Sequence, residues 1–196
     1  MALKTAPTDI GFAQITLSAM NAVATSESPF TYKQQVVQHT GQAWKASVTI
    51  PPVRRDLGEP WVAFLLSLQG PVNTFLLGDP NCTEPRGTAT NSSMTATGTA
   101  GDSSVTITIS DGTTLKAGDY IQLGTTSASK LHKVLADVSA TGSVDIWPNL
   151  KATYSGAAVT VDNAKGVFRL TSNVQEWEIG NSSTYGISFE AVEVIT

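Results

Sequence analysis

The sequence predicts a mainly β fold: a β-sandwich with one packed α-helix, carrying an inserted small β-barrel domain. Three observations lead there. Short segments in which apolar and polar residues alternate recur along the chain, which is the period of a half-buried strand. Only one stretch has a helical apolar period. And an almost featureless stretch, "GTATNSSMTATGTAGDSS" at residues 87–104, uncharged until Asp102, separates two sets of strands. Composition agrees. The chain has 26 Thr and 19 Ser among 196 residues, and β-branched Thr suits a pleated, partly wet surface.

The chain is long enough for one large domain or two small ones. A domain of this size buries about 70% of its unfolded surface and requires no staple. The net charge of −4 gives no basic footprint for a phosphate backbone, so no nucleic-acid binding is expected. Cys82 is the single cysteine, which excludes an internal disulfide and a multi-cysteine metal site. "MALKTAPTDIGFAQ" lacks the apolar core of a signal peptide, and "WVAFLLSL" is too short to span a bilayer. A soluble protein made in a cytoplasm, with no membrane span, is the expectation.

Taken in order, "FTYKQQVVQHTGQ" reads as a strand, with Thr40-Gly41 as the turn into "WKASVTIPP". There Trp44, Ala46, Val48 and Ile50 share one face, opposite Lys45, Ser47 and Thr49, and Pro51-Pro52 ends the strand. In "RRDLGEPWVAFLLSLQG", Asp56 and Glu59 have the spacing of a capping box, and Pro60 fits only a first helical turn. Trp61, Phe64, Leu65 and Leu68 make one apolar stripe, and Gly70 can take the left-handed cap. The helix should lie against a sheet. "VNTFLLG" is the next strand.

Beyond residue 104, "SVTITIS" alternates Val105, Ile107 and Ile109 against Thr106 and Thr108, and Asp111-Gly112 marks a turn. "AGDYIQLG", "LHKVLADV", "GSVDIWP" and "AAVTVDN" follow at the close spacing of a small barrel. "KGVFRLTSN", "VQEWEI" and "YGISFEAVEVI", joined by turns such as "GNSSTYG", read as long closing strands. The last is apolar on both faces near Ala191-Val192, as a central sandwich strand or one with a bulge would be. The N-terminal strands are too few to close a sandwich, and the C-terminal ones can complete it. Residues 87–104 therefore read as the neck of an insertion. The expected domains are a discontinuous sandwich, 1–86 with 165–196, and an inserted barrel, 87–164.

No catalytic, cofactor-binding or metal-binding residue is assigned. His39 and His132 lie in different modules without ligand-spaced carboxylates or cysteines, and read as strand-face histidines. Glu176 and Glu178 point the same way on a strand with Cα atoms ~6.7 Å apart, near a glycosidase carboxylate spacing. Without an apolar wall to raise one pKa, two wet glutamates are the better reading. Cys82 reads as a packed small residue rather than a nucleophile. Asp79 in "LGDPN" and Asp119 in "AGDYIQLG" read as turn residues. Trp147 and Tyr154 could stack on a sugar but read as packing, and Arg54, Arg55 and Arg86 as solvated or paired surface. What remains is a scaffold whose strand edges need covering, for which intersubunit packing is the natural means.

These residues also carry a resemblance. "WKASVTIPPVRRDLGEPWVAFLLSLQGPVNTFLLGDP" resembles the first half of distal tail proteins, the tail-tip family of long-tailed bacteriophages: a strand ending in Pro-Pro, a W-x-x-F-L-x-x-L-x-G helix, then F-x-L-x-D-P. "FRLTSN…EWEI…YGISFEAVEVI" is similar to the closing strands of that module. "LKAGDYIQLGTTSASKLHKVLADV…VDIWPNL" is similar to small barrel inserts of phage tail proteins. The resemblance spans most of residues 28–196. It implies a non-enzymatic structural protein that forms a hexameric ring at the tail tip of the virion, and no cofactor. It implies as partners the tail-tube protein and the tail-tip hub proteins, and through the insert a host-surface glycan or a receptor-binding protein. Another minor tail, tube or terminator protein, or a carbohydrate-binding module, are the alternatives the residues leave open.

Overall fold

A computed structural model describes residues 1–91, 94–109, 112–180 and 183–195. Among the described residues the chain is mainly β with one α-helix, and its strands fall into two hydrogen-bonded sets. Strands from both ends of the chain build a seven-stranded curled sheet in the order β1-β4-β11-β13-β3-β2, with β12 on a further stretch of β13. These are β1 Leu3–Lys4, β2 Gln14–Glu27, β3 Gln34–Arg54, β4 Thr74–Leu77, β11 Gly166–Leu170, β12 Trp177–Ile179 and β13 Thr184–Glu193. The intervening β5 Met94–Gly98, β6 Ser104–Ile109, β7 Tyr120–Leu123, β8 Lys130–Val134, β9 Gly142–Trp147 and β10 Tyr154–Thr160 close into a six-stranded barrel. The outer strands thus share one sheet, with the helix as its second layer.

The helix α1 spans Arg55–Leu68 and buries Trp61, Val62, Phe64, Leu65 and Leu68, the expected stripe with Val62 added. It packs on β3 and β13, where Trp61 meets Phe12, Phe64 and Phe189 at ring-centroid distances of 5.9, 5.7 and 6.3 Å. Its ends differ from expectation. The helix begins at Arg55, so Asp56 lies inside the first turn and no side chain caps the N-terminus. Glu59 instead pairs with Arg55 at 3.3 Å and accepts the Tyr185 hydroxyl at 3.0 Å. Pro60 therefore sits in the second turn, where its missing N–H leaves one helical bond unmade. The left-handed cap is Gln69, at φ 53, and Gly70 follows at φ 64.

The β3 face predicted from alternation is buried: Trp44, Ala46, Val48 and Ile50 are each at most 4% exposed. On its other face Lys45 pairs with Glu190 at 2.9 Å. Two turn expectations fail. Thr40-Gly41 lies inside β3, whose hairpin partner is β2 and not the preceding residues. The glycine has another purpose: at the β2–β3 register shift a Cβ on Gly41 would stand 3.0 Å from that of Ala22. Nor do Pro51-Pro52 end the strand. They fall where the β13 register slips between Tyr185 and Ile187, so the ladder tolerates their missing donors there.

In the barrel, Val105 and Ile107 point inward and Thr106 and Thr108 outward. The expected neck is shorter than residues 87–104, because β5 lies within that stretch and buries Met94 and Ala96. Alternation of Met and Ala with Thr is enough to line a barrel already filled by Val, Ile and Leu. β12 is three residues long rather than a long strand. β13 is central, flanked by β3 and β11. The Asp111-Gly112 turn involves Asp111, and the "GNSSTYG" turn Asn181 and Ser182, which lie outside the described residues.

Candidate interaction site

β3 pairs with β13 only as far as Lys45, and its residues 34–44 have β2 as their sole strand partner. From Ser18 to Gly41 every residue but Ser28 is exposed. The β2–β3 hairpin is therefore an arm that leaves the sheet. At about 3.4 Å per residue, residues 20–27 give it a length of ~27 Å. A two-stranded ribbon of this kind is marginally stable in water unless something packs on it. Its charged residues are Glu27 and Lys33, while Met20, Val23, Phe30, Tyr32, Val36 and Val37 are all exposed.

The arm's tip is closed by bonds from Ser28 N–H to Lys33 O (3.0 Å) and from Tyr32 N–H to Ser28 O (2.8 Å). The tip holds Tyr32 in the left-handed region at φ 54, which costs a non-glycine residue about 1–2 kcal/mol. Glycine would relieve that strain. A bulky aromatic stands there, with Phe30 beside it 92% exposed and Tyr32 itself 75% exposed. Neither ring belongs to a core cluster, and the strain at Tyr32 is therefore not explained by packing within the chain's two cores.

At the base of the arm the sheet meets the barrel. Trp44 donates Nε1–H to Leu131 O at 2.9 Å and stands edge-on to Trp147 at 4.5 Å. Trp147 donates to Asn21 Oδ1 at 2.8 Å. Tyr120 and Leu131 of the barrel belong to the sheet's own apolar core. Around them lies a buried polar cluster. Glu193 Oε2 accepts the Trp44 N–H at 3.1 Å, Lys130 Nζ donates to Val194 O at 2.6 Å, and Lys151 Nζ donates to Gln42 O. Burial pushes the Glu193 carboxyl up and both lysines down, although each lysine favours the ionised glutamate and is favoured by it in return. Glu193 Oε1 and His132 Nε2 are buried without a partner. The junction ties the barrel to the sheet and to the base of the arm; Lys130, His132 and Glu193 are buried in it and Lys151 is partly exposed.

The residues weighed from sequence fall in scattered places. His39 is exposed on the arm. His132 is fully buried, and its Nδ1 lies 2.7 Å from Pro148 O. Burial pushes its pKa down to about 4, so it is neutral near pH 7 and donates Nδ1–H to that carbonyl. Glu176 and Glu178 are exposed beside half-buried Trp177, and with Ile50, Pro52 and Ile187 they line a cleft of about 670 Å³. Cys82 donates its thiol to Asp79 at 3.4 Å, and burial and that carboxylate push its pKa up, which disfavours a thiolate. Asp79 also accepts the Asn81 N–H at 2.9 Å. Asp119 does more than form a turn: it accepts the N–H groups of Arg86, Gly87 and Lys116 at 2.8, 3.2 and 2.8 Å, and so fastens the neck to the barrel. Arg86 donates to Ala117 O at 3.0 Å, Arg55 pairs with Glu59, and Arg54 is exposed. Tyr154 is half-buried in the barrel.

Among the described residues no group of three or more His, Cys, Asp or Glu side chains is placed to hold a metal ion, and no helix is long and apolar enough to cross a membrane. The arm was missed from sequence although its signals were present. Ile15 and Leu17 alternate in β2 and pack against the core, and "SESPFTYK" supplies the turn. Compared with known proteins, the chain matches no family model and no curated sequence.

Proposed function

We propose that this chain is a structural subunit of a long-tailed bacteriophage tail tip, a distal tail protein that assembles as a closed, hexameric ring between the tail tube and the tip or baseplate. The observation that carries the proposal is the arm: a ~27 Å ribbon with exposed apolar residues and a strained aromatic tip, whose exposed apolar side chains belong to neither core cluster of the described residues. A neighbouring copy supplies a partner for them. Head-to-tail contacts repeated around an axis either close into a ring or run on as a fibre, and a ring around a tail closes. In this reading the sheet and helix form the ring body, the barrel faces outward toward host-recognition components, and the protein's role is assembly rather than catalysis. The hexameric number and the tube and hub partners rest on the family resemblance.

The test is native mass spectrometry at tens of micromolar, with and without the arm. The full chain is expected to populate a closed oligomer. A chain in which residues 24–37 are replaced by Asn-Gly, the tight-turn pair for a two-residue hairpin, joining the paired Val23 and Gln38, is expected to remain a folded monomer. An oligomer that survives removal of the arm would refute the arm as the ring contact.

A further inference from the structure

The arm leaves the sheet at one edge, and the structure offers a receptor for it at the other. Between the segment that follows β1 and the end of β4 lies a cavity of about 490 Å³, within the size range of ligand-binding clefts. Its apolar lining includes Leu3, Ile10, Phe12, Leu76, Pro80 and Ala164. β1 and β4 form one edge of the sheet and β3 and β2 the other. β4 runs antiparallel to β11, β11 to β13 and β13 to β3. The C-terminal end of β4, where the cavity opens, therefore lies at the same end of the sheet as the point where the arm departs. Cavity and arm share an end and occupy opposite edges, the disposition a head-to-tail contact needs.

We infer that the tip of the arm, with Phe30 and Tyr32 as its anchors, inserts into the β1–β4 cavity of the next copy of this chain. The occupant is a second copy because the charges match. The cavity carries Lys4, Lys165 and Asp79 among its lining residues, and the tip presents Glu27 and Lys33 on either side of its aromatics. Docked in this way, Glu27 would be set toward the two lysines and Lys33 toward Asp79. The aromatics supply the buried apolar anchor, and the flanking charges set register and exclude a reversed docking. This placement rests on the ring proposal and adds to it the identity of both contacting surfaces.

The experiment mixes two single-cysteine chains in equal amounts, both in a Cys82→Ser background, one carrying Phe30→Cys and the other Thr8→Cys at the exposed rim of the cavity. Mild oxidation at tens of micromolar is followed by intact-mass analysis. A mixed disulfide dimer as the dominant cross-linked species is the expected result. Oligomers that cross-link only Phe30→Cys to itself, or not at all, would overturn the placement while leaving ring formation intact. If the unmodified chain forms no oligomer over the same range, the ring proposal itself fails. As a second measurement, Phe30→Ser with Tyr32→Ser should weaken assembly at least tenfold without moving the monomer's thermal transition, because both side chains are exposed. Unchanged assembly would contradict the inference.

Discussion

His132 gives the barrel junction a dependence on pH whose size and sign follow from its surroundings. The imidazole is fully buried on β8, with Nδ1–H on Pro148 O and Nε2 without a partner. Burial is the main cause that pushes its pKa from 6.5 to about 4; Lys151 and Lys130 push the same way, and the Pro148 carbonyl opposes them. In the unfolded chain the group takes up a proton near pH 6.5, and in the folded chain it resists until about pH 4. The unfolded state therefore binds more protons between these values. The contribution to stability is complete above pH 6.5, is lost as pH falls toward 4, and changes no further below. At ~1.4 kcal/mol per pKa unit this amounts to about 3 kcal/mol. Urea titrations of the wild type and of His132→Gln, followed by circular dichroism at pH 7, 6, 5 and 4, isolate it. Carboxylates titrate over the same range in both proteins and cancel in the difference. Glu193 is one of them: its raised pKa has the opposite sign, favouring the fold as pH falls. The wild type should lose about 3 kcal/mol more than the variant between pH 7 and 4. Curves that stay parallel within ~0.5 kcal/mol would mean that the imidazole is accessible to solvent.

Other substitutions test the packing directly. Trp61→Ala removes a ring that touches Phe12, Phe64 and Phe189 and should cost about 3–5 kcal/mol in urea titration; a loss below about 1 kcal/mol would place the helix outside the core. Gly58→Ala should destabilise by about 1–3 kcal/mol through overpacking, although alanine is the better helix former. Its Cβ would stand 2.9 Å from Cβ of Tyr185, and a stabilised variant would show that the β13 side chain gives way freely.

Where apolar periodicity was strong, the sequence was legible. The stripe Trp61, Phe64, Leu65 and Leu68, the buried face of β3 and the Val105–Ile107 alternation are seen in the structure because each pattern has one way to hide its apolar side. Boundaries were less legible because they depend on partners distant in sequence. Thr40-Gly41 looks like a turn locally, but Ala22 opposite it makes glycine a requirement of strand approach. Pro51-Pro52 looks like an end, but the register slip in β13 absorbs it. The stretch 87–104 looks empty because Met94 and Ala96 are a sparse lining, sufficient only inside a barrel that other strands fill. The arm was hidden for a different reason. A ribbon exposed on both faces has no sharp alternation to read, and its exposed apolar residues belong to neither core. The buried charges at the junction were equally silent, since Glu193 in "EAVEVI" reads as an ordinary wet-face residue until the barrel is laid over it.

The central claim, that this chain is a ring subunit of a phage tail tip, is tested most directly by a reconstruction of the tail tip of a virion that contains it. Six copies in one closed ring at the distal end of the tube, each extending its residue 20–41 ribbon onto the next, is the result expected. A single copy per tail, or a location away from the tip, would contradict the claim.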